Sequence, residues 1–111
     1  MNGNKMEIKM NGVVYEAKLD MGALAEIQDF FRKKNDFLKL PEIIRGYSEE
    51  NFMIINEIII QSIQRCHKQL KRDEILDNML LKDIGKIKAY AGELIINSLP
   101  KDDKKKKRNR E

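Results

Sequence analysis

The feature that most constrains this chain is a change of period at one residue. In "VVYEAKLDMGALAEIQDFF" the apolar side chains alternate up to Leu19 and recur at helical spacing from Met21 on. Only Asp20 separates the two patterns. A strand must therefore run into a helix with almost no loop, and Asp20 is suited to cap that helix through its carboxylate.

The strand has a partner upstream. "MEIKM" and "VVYEAKL" flank Asn11-Gly12, a pair that supplies the two positive φ angles of a two-residue hairpin turn. Such a turn pairs Met10 with Val13, Ile8 with Tyr15 and Met6 with Ala17. Those six residues share one face, and Leu19 extends it. Lys5, Glu7, Lys9, Glu16 and Lys18 take the other. A hairpin over 6–19 is marginal by itself, so its apolar face must rest on helices.

Helical spacing then predicts five helices, over about 21–34, 41–45, 49–70, 74–81 and 84–99. The first buries Ala23, Leu24, Ile27, Phe30 and Phe31. Gly22 in its first turn is either a tolerated helix flaw or room for close packing under the hairpin. Pro41 opens the second helix and Gly46 closes it. Ser48 caps the third, whose stripe is Phe52, Ile55, Ile59, Ile63, Cys66 and Leu70. Met53, Ile58 and Ile60 widen its apolar arc to roughly 200°, against roughly 100° for an ordinary surface helix. This helix is either central to the fold or offers apolar surface to a partner. Glu57, Gln61, Gln64 and Lys68 form its polar wedge. Asp73 and Asp83 are positioned to cap the last two helices. Gly85, Ala89 and Gly92 allow a neighbouring backbone to approach the last one, within the chain or in a homo-oligomer. The expected fold class is α+β, mainly α: one domain over 1–100 with a hairpin packed on four to five helices, followed by a disordered basic tail over 101–111.

Charge is unevenly spread. The net charge is +4, and residues 101–111 hold seven basic and three acidic side chains. The remaining residues carry 15 of each sign, so the folded part is neutral. A tail of this composition is solubilising, or it contacts nucleic acid through Lys104 to Arg110. No aromatic is interleaved to stack on a base, which disfavours nucleic acid as a partner. A helix-turn-helix over residues 73–95 lacks the polar outward face of a recognition helix.

Site chemistry is sparse, and the chain reads as a non-enzyme. Cys66 and His67 are adjacent on a helix and point about 100° apart, which excludes a shared ligand set or a nucleophile–base dyad. A zinc site needs about four ligands, and the scattered glycines make no phosphate loop. No cofactor or metal is expected. "FMIINEIIIQSI" contains Glu57 and is too short to span a bilayer, the N-terminus lacks an apolar leader, and a single cysteine fits a reducing compartment. The expectation is a soluble cytoplasmic protein with no membrane partner.

Taken together, "MEIKMNGVVYEAKLDMGALAEIQDFFRKKN" resembles the start of the tail assembly chaperones of long-tailed bacteriophages and prophages of Gram-positive hosts. In that family a hairpin with a central "NG" runs into "aromatic-x-apolar-x-apolar-x-x-GAL-x-x-apolar". Asn11, Gly12, Tyr15, Leu19, Gly22, Ala23, Leu24 and Ile27 match. The family often has an acidic residue at the position of Gln28. The specific likeness covers about a quarter of the chain; later helices correspond in order and size. The resemblance implies a non-enzymatic protein that binds the tape measure protein, keeps its apolar helices soluble and helps recruit tail tube subunits, and that is absent from the finished virion. The candidate contact residues are Met53, Ile58 and Ile60, with Phe37. The resemblance also implies that a longer product is often made by frameshifting near the end of the reading frame. Lys104 to Lys107 require an adenine-rich message of the kind on which a ribosome slips.

Overall fold

The computed structural model describes residues 5–100; the tail expected over 101–111 lies outside the described residues. Strands β1 (Met6–Met10) and β2 (Val13–Ala17) pair antiparallel. The register is Met6 with Ala17, Ile8 with Tyr15 and Met10 with Val13, as the turn dictates. Asn11 and Gly12 have φ of 53° and 78°, the signature of a type I′ turn. Ile8, Met10, Tyr15 and Ala17 are buried. Val13 was expected with them but is exposed: it sits at the turn end, and its short side chain does not reach back under the helices as that of Met10 does.

Helix α1 (Met21–Arg32) follows β2 after three connecting residues, Lys18, Leu19 and Asp20. Asp20 Oδ1 accepts a hydrogen bond from the Ala23 amide at 2.9 Å, which closes the strand–helix joint. The same carboxylate receives Arg65 from across the core, Nε to Oδ1 at 2.8 Å and Nη2 to Oδ2 at 3.0 Å. This pair explains Gly22. A Cβ there would lie 2.7 Å from the Arg65 guanidinium carbon. The close approach is therefore to a pinned arginine and not to the hairpin, as the sequence suggested.

Helix α2 (Leu40–Ser48) is longer than expected and absorbs both Gly46 and Ser48. Gly46 is buried against Ile54 rather than ending the helix. The chain then turns at Glu50, φ 61°, and Asn51, not Ser48, caps the next helix, its Oδ1 accepting from the Met53 amide at 3.1 Å. Helix α3 therefore spans Phe52–Cys66 rather than 49–70. Its C-terminus is set by His67, which leaves helical geometry at φ −136° and ψ 78°.

Helix α3 runs through the middle of the fold and touches β2, α1, α2, the short α4 (Arg72–Leu76) and α5 (Ile84–Ser98). Ile54, Ile55, Ile58, Ile59, Ile60 and Ile63 are all buried, so the wide apolar arc means central placement. At its closest approach to the hairpin, the Lys18 amide donates to the Ser62 carbonyl at 3.0 Å. The buried Ser62 hydroxyl finds no partner among the described residues.

The polar wedge of α3 is only partly solvated: Gln61 and Gln64 are half-buried, and Lys68 is exposed beyond the helix end. Glu57 is 2% exposed and accepts from Arg72 Nη1 at 3.0 Å and Nη2 at 2.5 Å, with Gln61 Nε2 at 3.2 Å. The Arg72 guanidinium also lies 4.8 Å from the centre of the Phe30 ring, which ties α4 to α1 and α3 at one point.

Helix α4 begins before Asp73; the Lys71 amide donates to Glu74 Oε1 at 2.9 Å, so Glu74 takes the role assigned to Asp73. A 3₁₀ turn (Leu81–Asp83) leads into α5 (Ile84–Ser98). Asp83 makes no side-chain cap bond among the described residues. Of Gly85, Ala89 and Gly92 on α5, only Gly92 is tightly packed, against Tyr47 of α2; Gly85 and Ala89 are exposed. No helix among the described residues is long and apolar enough to cross a membrane.

A candidate apolar docking cleft

Three helix ends leave a gap. The start of α1, the flank of α2 and the end of α5 surround a cleft of about 440 Å³. Leu24, Ile43, Ile44 and Ile95 wall it, Ile58 of α3 lies at its floor, and Pro100 closes one end. Met21 and Leu40 also line it, and they are 78% and 38% exposed. These two stand at its mouth. Each opens a helix, where the first turn has no neighbour to cover it.

The cleft offers no free polar group among the described residues. Its two polar linings are Asp20 and Ser98. Ser98 Oγ donates to the Ile95 carbonyl at 2.9 Å. Asp20 is held by Arg65 and the Ala23 amide, with Lys18 Nζ at 3.6 Å. The hydrogen bonds from Arg65 lower the Asp20 pKa from its usual 3.8 to about 2, against the opposing effect of burial. Small-molecule sites use a few well-placed polar groups to orient their ligand; this cleft is suited to apolar side chains.

The Asp20 pair makes folding acid-sensitive. A carboxyl whose pKa is lowered by folding contributes stability above its unfolded pKa, and that contribution is lost as pH falls from about 4 towards about 2. Because the pair is partly exposed, its weight is on the order of 1 kcal/mol. Asp20→Asn keeps a good helix cap but removes the charge. Urea unfolding of both chains at about pH 6 and about pH 1.5 should show a gap at the higher pH that nearly closes at the lower. A gap unchanged by acid would refute the assignment.

The four residues expected to contact a partner do not form one surface. Ile58 and Ile60 are 0% exposed. The wide arc of α3 left core and partner surface as alternatives for them, and they are core because helices and the hairpin pack over this part of α3. Ile58 meets the cleft only at its floor. Phe37 is exposed beside a separate shallow hollow lined by Ala25, Gln28 and Leu38. Met53 is exposed and lines neither hollow. The loop carrying Phe37 is fixed by Gln28 Nε2, which donates to the Leu38 carbonyl at 2.9 Å. An ionised acid at position 28 could not donate that bond.

Met21, Leu40, Ile44 and Leu99 were missed as site residues. No periodic signal marks a cleft assembled from the ends of three helices.

Neither Cys66 nor His67 lines the cleft. Cys66 is half-buried, and burial raises its pKa above the ordinary thiol value. His67 Nε2 accepts from the Glu16 amide at 3.1 Å and its ring meets Tyr15 edge-on. Among the described residues, no group of three or more His, Cys, Asp and Glu side chains could hold a metal ion.

Neither protein-family models, nor curated proteins, nor solved structures give a match to this chain.

Proposed function

We propose that this chain is a tail assembly chaperone of a long-tailed bacteriophage or prophage. It acts in the host cytoplasm, binds apolar helices of the tape measure protein before the tail tube forms, and helps recruit tube subunits. The observation that carries the reading is the cleft: apolar, open at Met21 and Leu40, and without a free polar group among its described residues. An amphipathic helix docks such a groove with apolar anchors at i, i+3, i+4 and i+7. The hairpin and the "GAL" segment support the family likeness. On this reading the adenine-rich message at Lys104 to Lys107 belongs to a frameshift that yields a longer product.

The test is fluorescence anisotropy with labelled peptides from the apolar stretches of a tape measure protein. The full chain should bind them. Met21→Ser with Leu40→Ser should weaken binding about tenfold, equivalent to about 1.4 kcal/mol. Both positions are exposed, so the melting temperature should stay within about 2 °C. Equal binding by the variant would remove the cleft from the reading. Failure of every peptide to bind would remove the chaperone function.

A further inference from the structure

The tip of the hairpin carries a reactive pair. Asn11 is exposed, and Gly12 follows it at φ 78°. The Gly12 amide has no hydrogen-bond partner among the described residues, as a two-residue turn leaves it. A Cβ on Gly12 would meet nothing within 4 Å, so the space around that nitrogen is open. An asparagine amide beside such a nitrogen is chemically labile. The Gly12 nitrogen gives its proton to solvent base and bonds to Asn11 Cγ. The Cγ–Nδ2 bond breaks, and Nδ2 leaves as ammonia. Water then opens the succinimide that remains. Opening at Cγ yields an ordinary aspartate. Opening at the original carbonyl carbon yields an isoaspartate, whose main chain runs through the side chain. Water enters, ammonia leaves, and nothing is oxidised or reduced.

One contact opposes this chemistry. Asn11 Nδ2, the leaving nitrogen, donates to Asn78 Oδ1 at 2.9 Å. Asn78 is itself fixed, because its Nδ2 donates to the Tyr15 hydroxyl at 2.7 Å. The leaving group is therefore tied to the connection just after α4, and it must be released before ammonia can depart. The strands behind the turn are fastened at both edges. The Lys9 amide donates to the Tyr90 hydroxyl, which donates back to the Lys9 carbonyl, both at 3.2 Å. On the other edge the Glu16 amide is bound to His67 and the Lys18 amide to Ser62. Fraying of the strands is thereby restrained, and control of the reaction falls to the tip.

We propose that Asn11 is a site of spontaneous deamidation and that Asn78 sets its rate in the folded chain. The product matters to the fold. An isoaspartate lengthens the main chain in a turn that fixes the register of every pair, so the pairing of Met10 with Val13 is the first to suffer. Either product sets a carboxylate against Asn78 Oδ1, an acceptor against an acceptor. Asn78 must then turn its amide round, and the Tyr15 hydroxyl must donate where it now accepts. The hairpin ages by its own chemistry.

The experiment holds the full chain at mildly alkaline pH and follows it by peptide mapping. Cleavage after lysine releases Met10–Lys18, in which Asn11 is the only side-chain amide. The aspartate and isoaspartate forms of that peptide separate by chromatography. Asn11 should convert in the native chain, and faster in urea, where Asn78 no longer holds it. Asn78→Ala should speed native conversion about fivefold, the weight of one lost hydrogen bond. Asn78→Asp keeps an acceptor for Asn11 Nδ2 and should stay within about twofold of the unaltered chain. Ile60→Val loses comparable stability in the core and should leave the rate as it was. A rise with Ile60→Val equal to that with Asn78→Ala would show that global unfolding sets the rate, and would overturn the role of Asn78. So would equal rates in the unaltered and Asn78→Ala chains, or Asn78→Asp behaving as Asn78→Ala does. An Asn11 that stays intact in both native chains while converting in urea would overturn the site itself.

Discussion

An Ile60→Asp chain is expected not to fold. Ile60 is 0% exposed on α3, and α3 is the element that every other helix and the hairpin lean on. The substitution removes about 1.5–3 kcal/mol of apolar burial. It also buries a carboxyl without a built partner, and that penalty alone is several kcal/mol. Together they match the whole stability of an ordinary domain, about 5–15 kcal/mol. Far-ultraviolet circular dichroism should show the helical signal lost at room temperature. Ile60→Val provides the control: it should fold and lose only about 0.5–1.5 kcal/mol. A folded Ile60→Asp chain that fails to bind a client would instead restore Ile60 to a partner surface.

The second large effect is asymmetric. Arg72→Ala strands the Glu57 carboxylate, which is 2% exposed and keeps only Gln61 as a partner. Breaking a buried pair in this way destabilises by about 3–5 kcal/mol, and the contact with the Phe30 ring is lost as well. Glu57→Ala removes the same ion pair but strands Arg72, whose side chain is 37% exposed and reaches water. Its loss should be smaller, about 1–2 kcal/mol. Glu57→Leu combined with Arg72→Met should be close to neutral, because a buried ion pair and an apolar pair of similar volume are often equivalent. Chemical denaturation of the unaltered chain and these three variants measures each loss. Equal losses in the two single variants would show that burial does not distinguish the partners.

The hairpin and its register were legible because they are local. Asn11-Gly12 fixes the turn, and the turn fixes every pair. The strand–helix joint was legible for the same reason, since Asp20 caps within three residues. What failed was non-local or rested on rare backbone. Ser48 looked like the cap of α3 because nothing in the sequence announces positive φ at Glu50, which moves the start to Asn51. Glu57 looked solvated because its partner lies fifteen residues away on another helix. Gly22 signalled a close approach correctly, but Arg65, which fills the space, is far along the chain. Of the candidate contact residues, Ile58 and Ile60 are buried because the wide apolar arc of α3 serves the core, and the apolar opening lies where α1 and α2 begin and α5 ends.

Tyr90 and His67 also set an order of events. The hairpin is made before the helices that cover it, and the groups that close its edges arrive 51 and 81 residues after the amides they cover. At roughly 5–20 residues per second, a nascent hairpin waits about 4–16 s for Tyr90. Through that interval its strands are open to any passing strand, including another nascent copy. The protein is therefore most vulnerable to mispairing while still being made, and a pause in translation between residues 17 and 90 would lengthen that exposure.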